Sequence, residues 1–190
     1  MQAFIKTALV AALGLASLGA VAGEIQDTEV FASGVTNATA GALTKAYQSI
    51  GVAEGQGRIR NSTVVVTGAS NLSAGLKSTA RQEIGHVKDN GLIDRTMILA
   101  TGVGNNALGA GSYARQSIGF ARNNGKVEDS LVSATYAVNT AVGFGADAIQ
   151  EIGGASGNGV LRRATVSALG AANTAAGFGA TAEQRIGVAR

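Results

Sequence analysis

The chain of 190 residues contains no cysteine, no proline and no tryptophan, and only one histidine. Without cysteine there is no disulfide framework and no thiolate metal site. A single histidine excludes histidine-cluster metal sites and most imidazole catalysis. Average usage would supply about ten prolines, so a chain with none and 28 glycines is neither a collagen nor a proline-rich linker. Aromatic residues make up 4% and charged residues 14%, the latter about half the globular norm of roughly 25%. A conventional core of large side chains cannot be built from this composition. The net charge of +3 is too small to point to nucleic acid. What remains is Ala, Val, Ile, Gly, Ser and Thr.

The N-terminal segment reads as a targeting signal. Met1 to Lys6 carries one positive charge, Thr7 to Ala20 is an uncharged apolar run, and Ala20-Val21-Ala22 has the small-residue pattern of a cleavage site. The run is too short to span a bilayer comfortably. A signal peptide is expected over residues 1–22, with the exported chain beginning near Gly23 or Glu24.

The rest is one repeat. The tetrad Gln-x-Ile-Gly occurs at Gln48, Gln82, Gln116, Gln150 and Gln184, spaced 34 residues apart each time. Its isoleucines are Ile50, Ile84, Ile118, Ile152 and Ile186. An asparagine column holds the same phase at Asn37, Asn71, Asn105, Asn139 and Asn173. Glycines recur at Gly41, Gly75, Gly109, Gly143 and Gly177. A period of 34 also belongs to helical tetratricopeptide repeats. Composition refuses that reading, because nearly every short window holds a glycine, each costing about 1 kcal/mol inside a helix.

Within each copy the pattern alternates. Ala114, Gln116, Ile118 and Phe120 fall on one face, Tyr113, Arg115 and Ser117 on the other. Val64 and Val66 alternate with Thr63, Val65 and Thr67 in the same way. Glu54-Gly-Gln-Gly57, Lys88-Asp-Asn-Gly91, Arg122-Asn-Asn-Gly125 and Ser156-Gly-Asn-Gly159 are turn sequences. A second bend is expected near the asparagine column, around Gly102 to Asn106. Each copy thus reads as strand, bend, strand, turn, starting at Glu24, Arg58, Leu92, Lys126 and Val160.

Equal columns at equal spacing stack when copies lie above one another, about 4.8 Å apart. The expected fold is all-β: a five-repeat β-solenoid, or cross-β stack of β-arches, over residues 23–190. A glutamine facing inward beside isoleucine would cost about 1–3 kcal/mol if its amide were unpaired. A glutamine column can instead form an amide ladder and pin the register. The asparagine column either forms a second ladder or supplies turn geometry.

Motifs for chemistry dissolve into the repeat. Val64-Val-Val-Thr-Gly-Ala-Ser70 looks like the opening of a dinucleotide-binding fold, but Asn71-Leu-Ser-Ala-Gly75 lacks the glycines that should follow. His86 shares its column with Val52, Phe120 and Gly154 and reads as a variable strand-end residue. No paired-acid, Ser/His/Asp or metal constellation is present in the sequence, so no enzyme, cofactor, metal or small-molecule substrate is expected.

A secretory signal, five tandem repeats, glutamine and asparagine columns, glycine turns and the lack of proline resemble the curlin-type functional amyloids of bacteria. The repeats here are longer, and Gln116-Ser-Ile-Gly119 with Arg122-Asn-Asn-Gly125 stands where curlins carry Gln-x-Gly-x-x-Asn-x-Ala. The resemblance implies a secreted subunit that polymerises with itself into cell-surface fibres for adhesion and biofilm matrix, aided by secretion and nucleation proteins. A monomeric β-solenoid adhesin or surface-binding module is the alternative, and an outer-membrane β-barrel a more distant one.

Overall fold

The computed structural model describes residues 17–20 and 24–190. The expected signal peptide lies outside them, apart from one backbone strand, Ser17–Ala20. The rest is β-strand, bend and turn, wound into a stack of coils in which each residue sits above the one 34 positions earlier.

Each coil has four strands where the sequence suggested two. The second coil contributes Arg58–Arg60, Thr63–Thr67, Ser70–Ala74 and Lys77–Ile84. Equivalent strands of successive coils pair in parallel into four sheets. The short-strand sheet runs from Glu24–Gln26 to Val160–Arg162, and the valine sheet from Glu29–Ser33 to Thr165–Leu169. The asparagine sheet runs from Thr36–Ala40 to Ala172–Ala176. The long-strand sheet holds Leu43–Ala53 through Thr181–Ile186, with Ser17–Ala20 added at its first edge. Every strand pair among the described residues is parallel, which is not the antiparallel closure of an outer-membrane barrel.

Single residues make the corners. The column Asp27, Asn61, Arg95, Asp129, Arg163 adopts positive φ in all five coils and ends the short strands. The next corner is Gly34, Gly68, Gly102, Tyr136 and Gly170, also at positive φ. The bend expected at the asparagine column therefore sits earlier, at Gly102, and Asn105 lies inside the strand Gly104–Leu108. The third corner requires glycine for space: a Cβ on Gly109 would collide with the carbonyl oxygen of Gly75 in the coil below. The Lys88-Asp-Asn-Gly91 segment turns as its sequence implies, with Asp89 and Asn90 both at positive φ.

Two cores fill the coil. Ile59, Ile93 and Val127, with Val64, Ile98 and Val132 and with Ile84, Ile118 and Ile152, form the larger one. The smaller contains only alanine, including Ala80, Ala107, Ala114, Ala141 and Ala148. Alanine lets the asparagine and long-strand sheets approach closely, and the two amide columns lie between them.

Candidate functional site

The glutamine column points into the coil. Gln82, Gln116 and Gln150 have no exposed surface. Each donates its amide N–H to the carbonyl oxygen of the glutamine one coil earlier. Gln82 reaches Gln48 at 2.6 Å, Gln116 reaches Gln82 at 2.7 Å, Gln150 reaches Gln116 at 2.7 Å and Gln184 reaches Gln150 at 2.5 Å. The same nitrogens also bond backbone carbonyls across the coil, as Gln150 does to Ala137 at 3.0 Å.

The asparagine column is a second ladder, and it runs the other way. Asn37 donates to Asn71 at 2.9 Å, Asn71 to Asn105 at 2.7 Å, Asn105 to Asn139 at 2.7 Å and Asn139 to Asn173 at 2.8 Å. Asn139 also donates to the carbonyls of Ala114 and Ile149 in the long strands. Glutamine thus reaches from the long-strand sheet towards the asparagine sheet, and asparagine reaches back. The two columns lock sheet spacing as well as register, since a slip of one residue would strand every amide. Ile50, Ile84, Ile118 and Ile152 lie beside the glutamines in the larger core, while Ile186 in the last coil is half-exposed.

Sequence reasoning missed a third polar assembly, on the outside of the long-strand sheet. Gly51, Gly85, Gly119, Gly153 and Gly187 all have positive φ, which interrupts the alternation of that strand. Phe120, expected on the inner face with Ile118, is turned out of the main core. It stacks on His86 with ring centroids 6.5 Å apart, and the Arg122 guanidinium lies 5.8 Å from its centroid. In the hollow so formed, Glu151 is 1% exposed and Glu83 3% exposed. Glu151 accepts from Arg115 at 3.3 Å, Arg185 at 2.7 Å and Ser117 at 3.2 Å, and also pairs with Arg122. Glu83 pairs with Arg81 at 2.7 Å and Lys88 at 3.0 Å. Ser117, read from the sequence as an outward residue, is fully buried here.

His86 is fully buried with both ring nitrogens unpartnered. Burial, reinforced by Arg122, Lys88, Arg81 and Arg115, holds its pKa well below the ordinary histidine value. Burial likewise pulls the Arg122 guanidinium down to about 10, with Glu151 opposing the shift. The signal for this hollow was the variable residue of each tetrad: Glu83, Ser117, Glu151 and Arg185 share one column, so a carboxylate comes under an arginine.

The exposed corner adds simple ion pairs. Arg163 bonds Asp129 at 2.6 Å and 2.7 Å, and this hydrogen bonding holds the Asp129 carboxyl below its usual value. Lys88 bonds Glu54 at 2.6 Å one coil away. Among the described residues no cluster of His, Cys, Asp or Glu is arranged to hold a metal ion. No family model matches the sequence, and comparison with curated proteins and with solved structures gives no match.

Proposed function

We propose that the chain is a secreted structural subunit that stacks head-to-tail on copies of itself, forming extracellular curli-like fibres for adhesion and biofilm matrix. One observation carries this reading: the two end faces of the stack complement each other. Because the ladders run in opposite directions, the first coil, once the expected signal segment with Ser17–Ala20 is removed, presents a Gln48 amide N–H without a glutamine partner and an Asn37 carbonyl without an asparagine donor among the described residues. The last coil ends in the converse pair, the Gln184 carbonyl and the Asn173 N–H. Head-to-tail contact joins donor to acceptor in both ladders, whereas column over column two first-coil faces would set Gln48 N–H against N–H and Asn37 carbonyl against carbonyl.

Charge supports the same polarity. Residues 24–57 carry four carboxylates, Glu24, Asp27, Glu29 and Glu54, against Lys45 alone. Residues 160–190 carry Arg162, Arg163, Arg185 and Arg190 against Glu183 alone. Continuing the 34-residue register across a junction sets Arg163 against Asp27 of the next copy and Arg190 against its Glu54. The pairs Asp129–Arg163 and Glu54–Lys88 are the same arrangement inside one chain. Among the described residues the strand Ala172–Ala176 has a neighbour on one side only, and so has Thr36–Ala40, so unpaired backbone is offered at both faces.

The partner is then a second copy, with accessory proteins for export and nucleation. The test is electron microscopy and fibre diffraction of the purified chain. Fibres with a meridional spacing of about 4.8 Å, growing without lag when preformed seeds are added, are expected. A chain that stays monomeric at high concentration would instead make the protein a solitary β-solenoid acting as an adhesin or surface-binding module.

A further inference from the structure

Five segments, 30–42, 64–76, 98–110, 132–144 and 166–178, contain no Asp, Glu, Lys, Arg or His. They occupy the same arc of successive coils: most of the valine sheet, the whole asparagine sheet and the corners on either side. Every charged residue between 24 and 190 lies elsewhere on the coil. The outer face of the asparagine sheet carries Leu108, Val138 and Val142, each 39% exposed. Along its border stand Leu76, Phe144 and Phe178, with the last two rings stacked at 5.3 Å and Phe178 78% exposed.

We infer that this face is where two stacks pair side by side, so that the occupant of the uncharged sheet is the same sheet of a second copy; the inference rests on the stacking reading above. Charge selects the occupant. The face offers nothing to a phosphate backbone or an anionic surface, and no like-charge repulsion opposes its own copy. The other outer faces hold all the charge, so fibres pairing through them would have to take those ion pairs out of water. A second copy also presents the same strand spacing of about 4.8 Å, so contacts repeat in phase along the whole length. Area then sets when pairing occurs. Five strands of five residues present about 24 Å by 17 Å, or roughly 400 Å². A stable interface buries about 800 Å² on each partner. One chain falls short and two stacked chains reach it, so lateral pairing follows stacking and single chains do not dimerise through this face.

The test is mass per unit length of the fibres by scanning transmission microscopy. The parent is expected to contain two chains per roughly 24 Å of fibre, the height of five coils at the strand spacing. The double variant Thr140→Lys/Thr174→Lys places charges on the outer face of the asparagine sheet, and should elongate normally with one chain per that length. Ile149→Lys, which puts a charge on the long-strand sheet, should keep two. Parent fibres with one chain per that length, or undiminished pairing in the double variant, would overturn lateral pairing while leaving the stack intact. Absence of any fibre would overturn both.

Discussion

Gln116 is bonded above and below, and its neighbours have no water to turn to. Substituting Gln116→Leu adds apolar volume to a buried site but removes the acceptor for Gln150 and the donor for Gln82. Each stranded amide costs about 1–3 kcal/mol, more than a buried leucine returns in so narrow a space. The variant should lose about 2 kcal/mol or more in urea unfolding, while Ser133→Ala on the outer valine sheet should change little; equal midpoints for the two would mean that the amide column carries no load. His86 makes a second prediction. Its folded pKa lies below the unfolded one, so the unfolded chain binds the extra proton first. Stability attributable to His86 is present above about pH 6.5 and is lost as pH falls through that value. The surrounding cations Arg81, Lys88, Arg115 and Arg122 deepen the loss, and the nearby carboxylates Glu83 and Glu151 are already paired with arginine or lysine. His86→Val, which gives the column the residue of Val52, should flatten the unfolding midpoint between about pH 7.5 and about pH 5.5. An unchanged slope would place the acid sensitivity in other groups.

The element that departs most from its sequence pattern is the long strand, and the cause is one residue per coil. Gly119 sits at φ +58°, and a Cβ there would lie 2.5 Å from Cγ2 of Val132. Gly119→Ala meets both the left-handed penalty of about 1–2 kcal/mol and a clash with a packed β-branched side chain. A loss larger than that penalty alone is expected in thermal unfolding, and a neutral result would mean that the strand can straighten. The converse case is Tyr136, at φ +53° in the column where the other four coils have glycine. Tyr136→Gly should be neutral or slightly stabilising, since its ring is exposed. These two sites also mark what could be read in advance. Equal spacing fixed the coil length, the starts at Glu24, Arg58, Leu92, Lys126 and Val160, and the inward side of Gln116 and Val64, because register in a parallel stack depends only on spacing. Four corners instead of two were hidden, because one left-handed residue such as Arg95 or Asp129 turns the chain without any turn-like sequence around it. The hollow holding Glu151 is hidden for a related reason: Gly119 reverses the alternation, so Phe120 leaves the main core and Arg122 folds back over the outward Ser117 and Glu151, burying both.

At the scale of the whole molecule, the decisive question is which backbone amides face out of the stack. In the first coil, Gly34 donates its N–H upward to Thr67, while the Thr63 N–H of the second coil descends to Thr28. Amides in phase with Gly34 are therefore used inside the chain, and alternation leaves that of Phe31 pointing out of the first face. In the last coil, Thr181 and Gly187 donate downward to Ala146 and Ile152, so the Ile186 amide points out of the opposite face. Proline at either site removes a donor that has no strand partner among the described residues and that a neighbouring molecule would use. Phe31 and Ile186 are 58% and 42% exposed, so little core is lost. Phe31→Pro/Ile186→Pro should keep the β-sheet circular dichroism of the parent yet fail to elongate parent seeds. The single variant Ile186→Pro is the sharper probe, because its first-coil face is intact. It should add to a growing end through that face and then present a blocked face, halting elongation of the parent at substoichiometric amounts. Raising salt should slow parent growth as well, since Arg163 and Arg190 at the junction are exposed and each pair there is worth no more than about 1 kcal/mol. If Ile186→Pro neither joins fibres nor slows them, or elongates at the parental rate, growth does not proceed through the strand edges of the first and last coils.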